Sequence, residues 1–292
     1  MTWTAGLAPW YATHGRHELP WRQTRDPWAV LVSEVMLQQT QVARVIPYWR
    51  LFLERWPDPP RFAAAPLSEI LRAWQGLGYP RRAVALHEGA AVVSAAGWPR
   101  DEQSLRRLPG VGVYTARALL TLALGEPSRP PLDVNIARVA ARAAAGCEPD
   151  QLPARRLEDL IAGAHPRALD PREYVFALFD AGALHCRAQP RCAACPLARQ
   201  CSSRRRLQNA PPRAATRRAR AAPYAGSMRR LRGVILAASL SHDGTLTLAD
   251  AHEAARHVPL AREPGAVQDA LASLRADRLI DAPPCLPPDG AA

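Results

Sequence analysis

Apolar residues recur at helical spacing through residues 3–207, in short segments that prolines and glycines separate. Alternating runs of β-branched residues, which favour strands, are few in this part of the chain. We therefore predict an all-α fold class. The predicted helices lie near 3–14, 28–43, 46–55, 67–74, 81–95, 101–107, 113–124, 134–144, 154–163 and 171–184.

A basic, proline-broken stretch separates this region from the rest of the chain. Residues 206–227 contain arginine runs but little apolar periodicity, which predicts a flexible linker. Helical patterns resume near 229–239, 247–256 and 264–276. Their plan resembles a small C-terminal winged-helix-like module over 228–292.

Charge is the next feature that narrows the function. The 292 residues have a formal net charge of +12, which favours a polyanionic partner such as nucleic acid. No apolar stretch reaches the roughly 18 residues of a membrane span, and the start of the chain lacks the order of a signal peptide. We expect a cytoplasmic, nucleoid-associated monomer without a membrane partner.

All 38 basic Lys+Arg positions are arginines. A lysine Schiff base is one common covalent route to opening a sugar or carbonyl substrate. In this chain only the terminal amine could form one, so covalent lysine chemistry is excluded.

Four cysteines lie within sixteen residues in a C-x5-C-x2-C-x5-C pattern: Cys186, Cys192, Cys195 and Cys201. Zinc ribbons usually pair two separated C-x2-C knuckles, whereas one short loop with four thiolates suits the irons of a 4Fe-4S cube. Zinc and two disulfides are the alternatives. His185, beside the first cysteine, is expected to lie next to the cluster or in solvent rather than to bind it.

Glu34 interrupts the apolar run at 28–37, and Gln38 and Gln41 follow at spacings that predict one stripe of a continuous helix. Such a stripe is typical of a solvated face on a buried helix. The same pattern is also compatible with a partly desolvated Glu34 whose raised pKa lets it donate a proton, beside glutamine amides that can contact nucleobases.

Asp133 precedes the helical pattern at 134–144, where an N-cap belongs. Capping alone would explain it, but a capping carboxylate is also held ionised by the helix N–H groups and can stabilise a nearby cation. One protonated and one ionised carboxylate form the pairing that cleaves glycosidic bonds through oxocarbenium-like states.

Two glycine turns are candidates for nucleic-acid contacts. Gly110 and Gly112 join two helical patterns, either as a plain connector or as a turn whose free N–H groups hold a phosphate. Tyr79 follows Gly76 and Gly78 and precedes two arginines, so it either packs on its own domain or wedges between base pairs.

Six segments together resemble the adenine DNA glycosylases of the MutY family, in order over residues 1–205. They are LPWR at 19–22, SEVMLQQT at 33–40, GLGY at 76–79, LPGVGVYTA at 108–116, LDVN at 132–135 and the four-cysteine loop. The resemblance implies a helix-hairpin-helix DNA glycosylase fold. Its six-helix barrel would span 23–133, and its iron-sulfur cluster helical domain would combine 1–22 with 134–205.

The resemblance also implies roles for individual residues. Glu34 would protonate adenine N7 and help activate water, and Asp133 would stabilise or transiently capture the oxocarbenium sugar. Tyr114 and Asn135 would orient these groups. Contacts to DNA or to the flipped base would come from Leu19, Trp21, Arg22, Gln38, Gln39, Val42, Tyr79, Gly110 and Gly112.

The substrate implied is double-stranded DNA that holds adenine opposite 8-oxoguanine or guanine. Endonuclease III, a relative with lyase activity, has a lysine where this chain has Tyr114. The resemblance therefore implies a monofunctional glycosylase in base excision repair.

Three features depart from the family pattern. The first cysteine spacing is x5 where x6 is usual, and Phe176 occupies an aligned pocket position where Glu or Gln is common. Residues 228–292 are too short and too helical for the Nudix-like domain that senses 8-oxoguanine, and the tripeptide at 240–242 is interpreted as chance.

Two alternatives stay open. The first is a thymine or uracil mismatch glycosylase of the same superfamily, which also has the tyrosine and the aspartate. The second is a non-catalytic protein that binds damaged DNA. Glu34 followed by Gln38 and Gln39 favours adenine.

Overall fold

The computed structural model describes residues 2–209, 224–242 and 246–280. These residues form α-helices, short 3₁₀ and π turns and no β-strand, which confirms the all-α prediction. None of the described helices combines the length and apolarity that crossing a bilayer requires. The helices are α1 (Leu7–His14), α2 (Pro27–Leu37), α3 (Val42–Arg55), α4 (Pro59–Ala64), α5 (Leu67–Trp74), α6 (Arg81–Ala96), α7 (Glu102–Leu105), α8 (Val113–Leu119), α9 (Val134–Ala140), α10 (Ala154–Ala162), α11 (Pro171–Asp180), α12 (Arg204–Asn209), α13 (Met228–Ser241), α14 (Leu248–Ala255) and α15 (Ala266–Ala276).

The helix predicted over 28–43 is in fact two helices. The chain leaves helical conformation at Gln38, and Gln39 has a φ of 57° before α3 begins at Val42. The prediction that Glu34, Gln38 and Gln41 share one helical stripe is therefore wrong. Apolar periodicity continues through the break, so it could not locate the turn.

Three helices near the candidate site continue as π-helical turns. These turns are Leu120–Leu124 after α8, Ala141–Ala145 after α9 and Ala181–His185 after α11. The first two end at glycines with φ near 70°, and the third ends at Cys186. A π-helical turn is wider than an α-helical turn and changes the direction of the helix, and such turns occur often at functional sites.

By its contacts the chain divides into two compact units. One comprises Met1–Gln38 and Ala96–Thr216, and the other comprises Gln39–Ala95 and Arg217–Ala292, as far as the structure describes those ranges. The barrel and cluster domains implied by the resemblance have different boundaries and stay a prediction. Most of the predicted linker lies outside the described residues, although 206–209 belong to α12.

The first unit is built around α2, in which every residue from Trp28 to Met36 is buried. Asp26 caps this helix by accepting hydrogen bonds from the N–H groups of Trp28 and Ala29, with Pro27 at the first helical position. Helix α2 packs against α8, and α9 packs against α10 and α11. The first turn of α8 is thereby brought to the buried face of α2 that contains Glu34.

The second unit has an aromatic core. The Phe52 ring lies 5.1 Å from Trp56 and 5.6 Å from Trp74, and Trp56 lies 5.3 Å from Phe62, all in edge-to-face geometry. Helices α13, α14 and α15 pack on one another, and α13 also packs on α5, where Arg72 Nε donates to Leu240 O at 2.8 Å.

The described residues of the C-terminal module contain helices but no strand, so they include no wing. Leu240 and Ser241 are the last residues of α13 and His242 is its C-cap, with Leu240 buried in the module. In this position Leu240 is part of a helical core, in agreement with the interpretation of the tripeptide as chance.

Candidate active site

Glu34 lies on the buried face of α2 with 8 % of its surface exposed. Burial raises the pKa of its carboxyl to about 7, a hydrogen bond from Tyr114 opposes the rise, and the negative charge of Asp133 adds to it. With this pKa about half of the Glu34 carboxyl is protonated near neutral pH, as a proton-donating acid requires.

Tyr114 is the second residue of α8 and its hydroxyl donates to the Glu34 carboxylate. Burial raises the pKa of the Tyr114 hydroxyl well above its usual range, and the neighbouring Glu34 and Asp133 add to this effect. The phenol consequently stays neutral and remains a donor.

The turn before α8 contains both predicted glycines, but only one of them needs glycine for its backbone. Gly110 has a φ of 75°, whereas Gly112 is extended, which any residue could adopt. Positive φ therefore accounts for a glycine at position 110 but not at position 112. A Cβ added to Gly112 would meet no atom within 4 Å, so the space beside it is open to a ligand.

Asp133 caps α9, as its sequence position predicts. Its Oδ1 accepts from the backbone N–H groups of Asn135 at 3.0 Å and Ile136 at 2.7 Å, and its Oδ2 accepts from the Asn135 amide at 2.7 Å. Burial nevertheless raises the pKa of Asp133, because the desolvation outweighs these hydrogen bonds and the nearby Arg138. The cap holds the carboxylate in place without lowering its pKa, contrary to the sequence-based expectation.

Arg138, a residue that sequence reasoning missed, links this cap to the cysteine loop. Its Nη2 donates to Asn135 Oδ1 at 2.8 Å and to Gly182 O at 3.3 Å, and its Nε donates to Cys186 O. The contact spans 48 positions in the chain. Asp133, Asn135, Arg138 and Cys186 therefore form one hydrogen-bonded series.

The LPWR segment forms a 3₁₀ turn that buries Leu19 and Trp21. The Arg22 guanidinium is also buried and forms a double ion pair with Asp180, at 2.7 and 2.8 Å. It lies 4.5 Å above the Phe176 ring. Phe176, at the aligned position where Glu or Gln is common, therefore supports the arginine with an aromatic face.

Asp180 is the second residue that sequence reasoning missed. It is fully buried and also binds Arg16, through Nε at 2.6 Å and through the backbone N–H at 2.9 Å. Burial opposes ionisation, but the arginines and their hydrogen bonds hold the pKa of Asp180 below its usual range. The feature of the sequence that could have identified Asp180 is a single carboxylate in an apolar run, six residues before Cys186.

The remaining candidate DNA contacts lie around two turns. Gln39 and Tyr79, both in the second unit, have positive φ values of 57° and 49°, which is uncommon outside glycine and occurs often at functional loops. The Tyr79 side chain is 44 % exposed, and Arg82 lies 5.5 Å from its ring while donating to Gly78 O at 2.9 Å. Gln38 is the C-cap of α2 in the first unit, and Val42 is the first residue of α3 in the second unit.

The four cysteines of the loop line one cavity, together with His185, Pro190, Ala198, Arg204 and Leu207. All four thiols are free, so the disulfide alternative is wrong. Within the described part of the chain, no three His, Cys, Asp or Glu groups are arranged to hold a single metal ion. Burial raises the pKa of the Cys195 thiol to about 11, so a thiolate there needs a compensating positive charge.

Arg142 supports both ends of this loop. It is almost fully buried, and its Nη1 donates to Arg187 O at 2.6 Å and lies 3.9 Å from Cys186 Sγ. Its own carbonyl accepts from the Cys201 thiol at 3.6 Å and from Ser203 N at 3.0 Å. Glu148 balances the guanidinium charge at 2.9 Å.

Comparison with known proteins decides the family. Residues 32–161 match the model of the "HhH-GPD superfamily base excision DNA repair protein". An adenine DNA glycosylase of Mycolicibacterium smegmatis is 43 % identical over 79 % of this chain and 78 % of its own length. One from Mycobacterium tuberculosis is 38 % identical over 97 % of this chain and 93 % of its own.

The chain belongs to the adenine DNA glycosylase family. The glycosylase also matches the solved structure of a thermostable thymine-DNA glycosylase, at 28 % identity with a TM-score of 0.61, over 70 % of this chain and 95 % of that one. These matches confirm the predicted helix-hairpin-helix superfamily fold and the assignment as a DNA glycosylase that acts on N-glycosyl bonds. The mycobacterial match over 97 % of this chain also spans the C-terminal module.

Proposed function

We propose that this glycosylase excises adenine that is mispaired with 8-oxoguanine or guanine in double-stranded DNA. The observation that supports the proposal most directly is the carboxyl of Glu34, which has a pKa of about 7 and accepts a hydrogen bond from Tyr114. A second carboxylate, Asp133, is close enough to raise that pKa through its charge. The paired carboxylates of glycoside hydrolysis are reproduced on a helical scaffold.

In the proposed reaction, protonated Glu34 gives its proton to N7 of the flipped adenine. The bond between C1′ and N9 then breaks, the electron pair leaves with the base, and positive charge develops on the sugar. Asp133 stabilises this charge while Asn135 holds the Asp133 carboxylate by two hydrogen bonds. Water adds to C1′ and returns a proton to Glu34, so the products are free adenine and an abasic site.

The strand is left intact. A lyase step needs an amine to form a Schiff base at C1′, and this chain has no lysine. Tyr114, at the hairpin position, is neutral and already donates to Glu34, so it offers no nucleophile for such a step.

The duplex would be held mainly through its phosphates. The open space beside Gly112 leaves room for a phosphate near the start of α8, and the net charge of +12 adds long-range attraction. Tyr79 and Gln39 are placed on exposed, strained turns suited to insertion beside the orphaned base. Leu19, Trp21 and Arg22 would border the adenine, with Arg22 held in place by its ion pair with Asp180.

The four cysteines would hold a 4Fe-4S cluster. Two observations fit this group: the thiols line a shared cavity without the arrangement that one metal ion needs, and a buried ring nitrogen of His185 beside them has no hydrogen-bond partner among the described residues. When bound, the cluster supplies four iron–thiolate bonds that fix the loop and a centre able to change its charge.

The test is single-turnover incubation of iron-replete protein with duplexes that contain one A:8-oxoguanine, A:G or G:T pair, followed by strand analysis with and without hot alkali. We expect alkali-dependent cleavage at adenine alone. Asp133→Asn should retain duplex binding and lose product formation. Asp170→Asn is the matched control, because Asp170 also caps a helix, α11.

The same experiment separates the alternatives. Cleavage at thymine would assign the chain to the thymine mismatch enzymes, a possibility that the structural likeness to a thymine-DNA glycosylase makes worth testing. Tight binding without cleavage of any duplex would indicate a non-catalytic binder. Cleavage without alkali would contradict the monofunctional mechanism.

A further inference from the structure

His185 is a half-buried polar residue for which the proposed reaction has no use. It is the last residue of the π-helical turn Ala181–His185, directly before Cys186. Its carbonyl accepts from the N–H groups of Arg187 at 3.0 Å and Arg191 at 2.8 Å, so the backbone on which the ring is mounted is fixed to the loop.

The imidazole ring is also held in place. Trp10 of α1 packs against it edge to face, with 5.5 Å between the ring centroids. His14, one turn further along α1, stacks on Trp10, with 6.3 Å between the ring centroids. The ring is therefore positioned by packing rather than by a hydrogen bond at Nδ1.

Nδ1 of His185 is buried and has no hydrogen-bond partner among the described residues. Buried polar atoms are nearly always paired, and an exception calls for a missing water, ion or other group. His185 lines the same cavity as the four cysteines. Arg204, which also lines this cavity, has only donors to offer, so its side chain cannot accept a hydrogen bond from an N–H group at Nδ1.

We propose that His185 donates a hydrogen bond from Nδ1 to a sulfur of the iron-sulfur cluster and thereby sets its reduction potential. The inference rests on the proposed cluster. A donor to sulfur withdraws electron density from the core and stabilises its reduced form more than its oxidised form, which raises the potential. His185 is then a tuning residue and not a ligand.

The experiment uses the full-length holoprotein and three variants. His185→Leu removes the donor at similar size, His185→Gln keeps a donor, and His14→Leu removes the other imidazole that contacts Trp10 but does not line the cavity. Iron and acid-labile sulfide are measured first. Voltammetry of the DNA-bound protein and resonance Raman spectra of the iron–sulfur stretching bands follow.

We expect a more negative potential and shifted iron–sulfur bands in His185→Leu, a smaller change in His185→Gln, and wild-type values in His14→Leu. Unchanged potential and bands in His185→Leu at full iron content would overturn the inference. An equal change in all three variants would also overturn it, because it would indicate packing around Trp10 as the cause.

A measurement on the unaltered protein covers the case in which the variants lose iron. With ¹⁵N-labelled histidine, electron–nuclear double resonance of the paramagnetic cluster should detect a nitrogen coupled through the hydrogen bond. Absence of any histidine coupling would refute the contact. Protein that binds zinc, or no sulfide, would instead refute the proposed cluster itself, while adenine excision is scored separately.

Discussion

Arg138 donates to Asn135 across 2.8 Å, and the same Asn135 donates to Asp133 across 2.7 Å. Arg138 also reaches the carbonyl of Cys186, the first cysteine of the loop. The orientation of the carboxylate proposed to face the sugar is therefore tied to the loop that would hold the cluster. The link depends on the forked geometry of one guanidinium.

Arg138→Met should lower the single-turnover rate of adenine excision by about 10- to 100-fold, because Asn135 and Asp133 lose their support and small displacements are costly in an oriented site. Duplex affinity should change much less. Arg155→Met, which removes an exposed arginine of α10, is the control for lost charge. A uniform loss of affinity in both variants, with unchanged rates on bound DNA, would contradict the prediction.

Tyr114→Phe should move the high-pH limb of the rate profile toward higher pH. The Tyr114 hydrogen bond stabilises the ionised form of Glu34 and lowers its pKa, so its removal raises that pKa above about 7. Glu34 then stays protonated to higher pH. The measurement is the single-turnover rate against pH, and Tyr174→Phe provides a buried control whose hydroxyl donates to Ile161 O instead.

Glu34→Gln should abolish excision and stabilise the fold in alkaline solution. The folded-state pKa of about 7 lies above the usual glutamate value of 4.5, so the wild type loses stability as pH rises between these values. The advantage of the variant should reach up to about 3 kcal/mol at pH 8 and vanish below pH 4. Chemical denaturation at several pH values tests this. Equal stability at every pH would show that Glu34 is not desolvated, and exposed Glu18→Gln should show no such trend.

Gly182→Ala should impair both stability and excision. A Cβ at this position would lie 2.7 Å from Asn135 Cβ and 3.0 Å from its carbonyl oxygen, so α9 would have to move. We expect a loss of about 1–3 kcal/mol, typical of overpacking. Thermal melting and the excision rate measure the two effects.

The matched control for that substitution is Gly233→Ala. Gly233 lies inside α13, where a new Cβ comes no closer than 3.9 Å to the Tyr224 hydroxyl. Alanine is favoured over glycine in a helix, so this variant should gain roughly 0.5–1 kcal/mol. Wild-type behaviour of Gly182→Ala would show that α9 and the turn after α11 are less tightly packed than the structure indicates.

The sequence predicted those parts of the site that short motifs define. Glu34 in its apolar run and Asp133 before a helix were identifiable from their neighbours, whereas the role of Tyr114 was implied only by the family resemblance. The structure adds that Tyr114 donates to Glu34 and that the charge of Asp133 raises the pKa of Glu34. Local pattern sufficed for Glu34 and Asp133 because an apolar helix and a helix cap are determined by adjacent residues.

The parts that sequence reasoning missed depend on long-range contacts. Arg138 is an ordinary basic residue of a helix until the carbonyl of Cys186 is beside it, and Asp180 is an ordinary acid until Arg22 meets it. The turn at Gln38 was missed for the opposite reason, since apolar periodicity continued through it. Periodicity describes which residues are buried, and it does not specify where the backbone turns.

The ion pair between Arg22 and Asp180 also has a consequence for biosynthesis. These residues are 158 positions apart, so the LPWR turn emerges from the ribosome long before its counter-charge has been translated. Until then the arginine is solvated and the turn lacks its anchor. Because Asp180 precedes Cys186 by only six residues, the anchor and the first thiol emerge almost together. A nascent chain therefore cannot anchor its LPWR turn much before the first thiol of the cysteine loop has been translated.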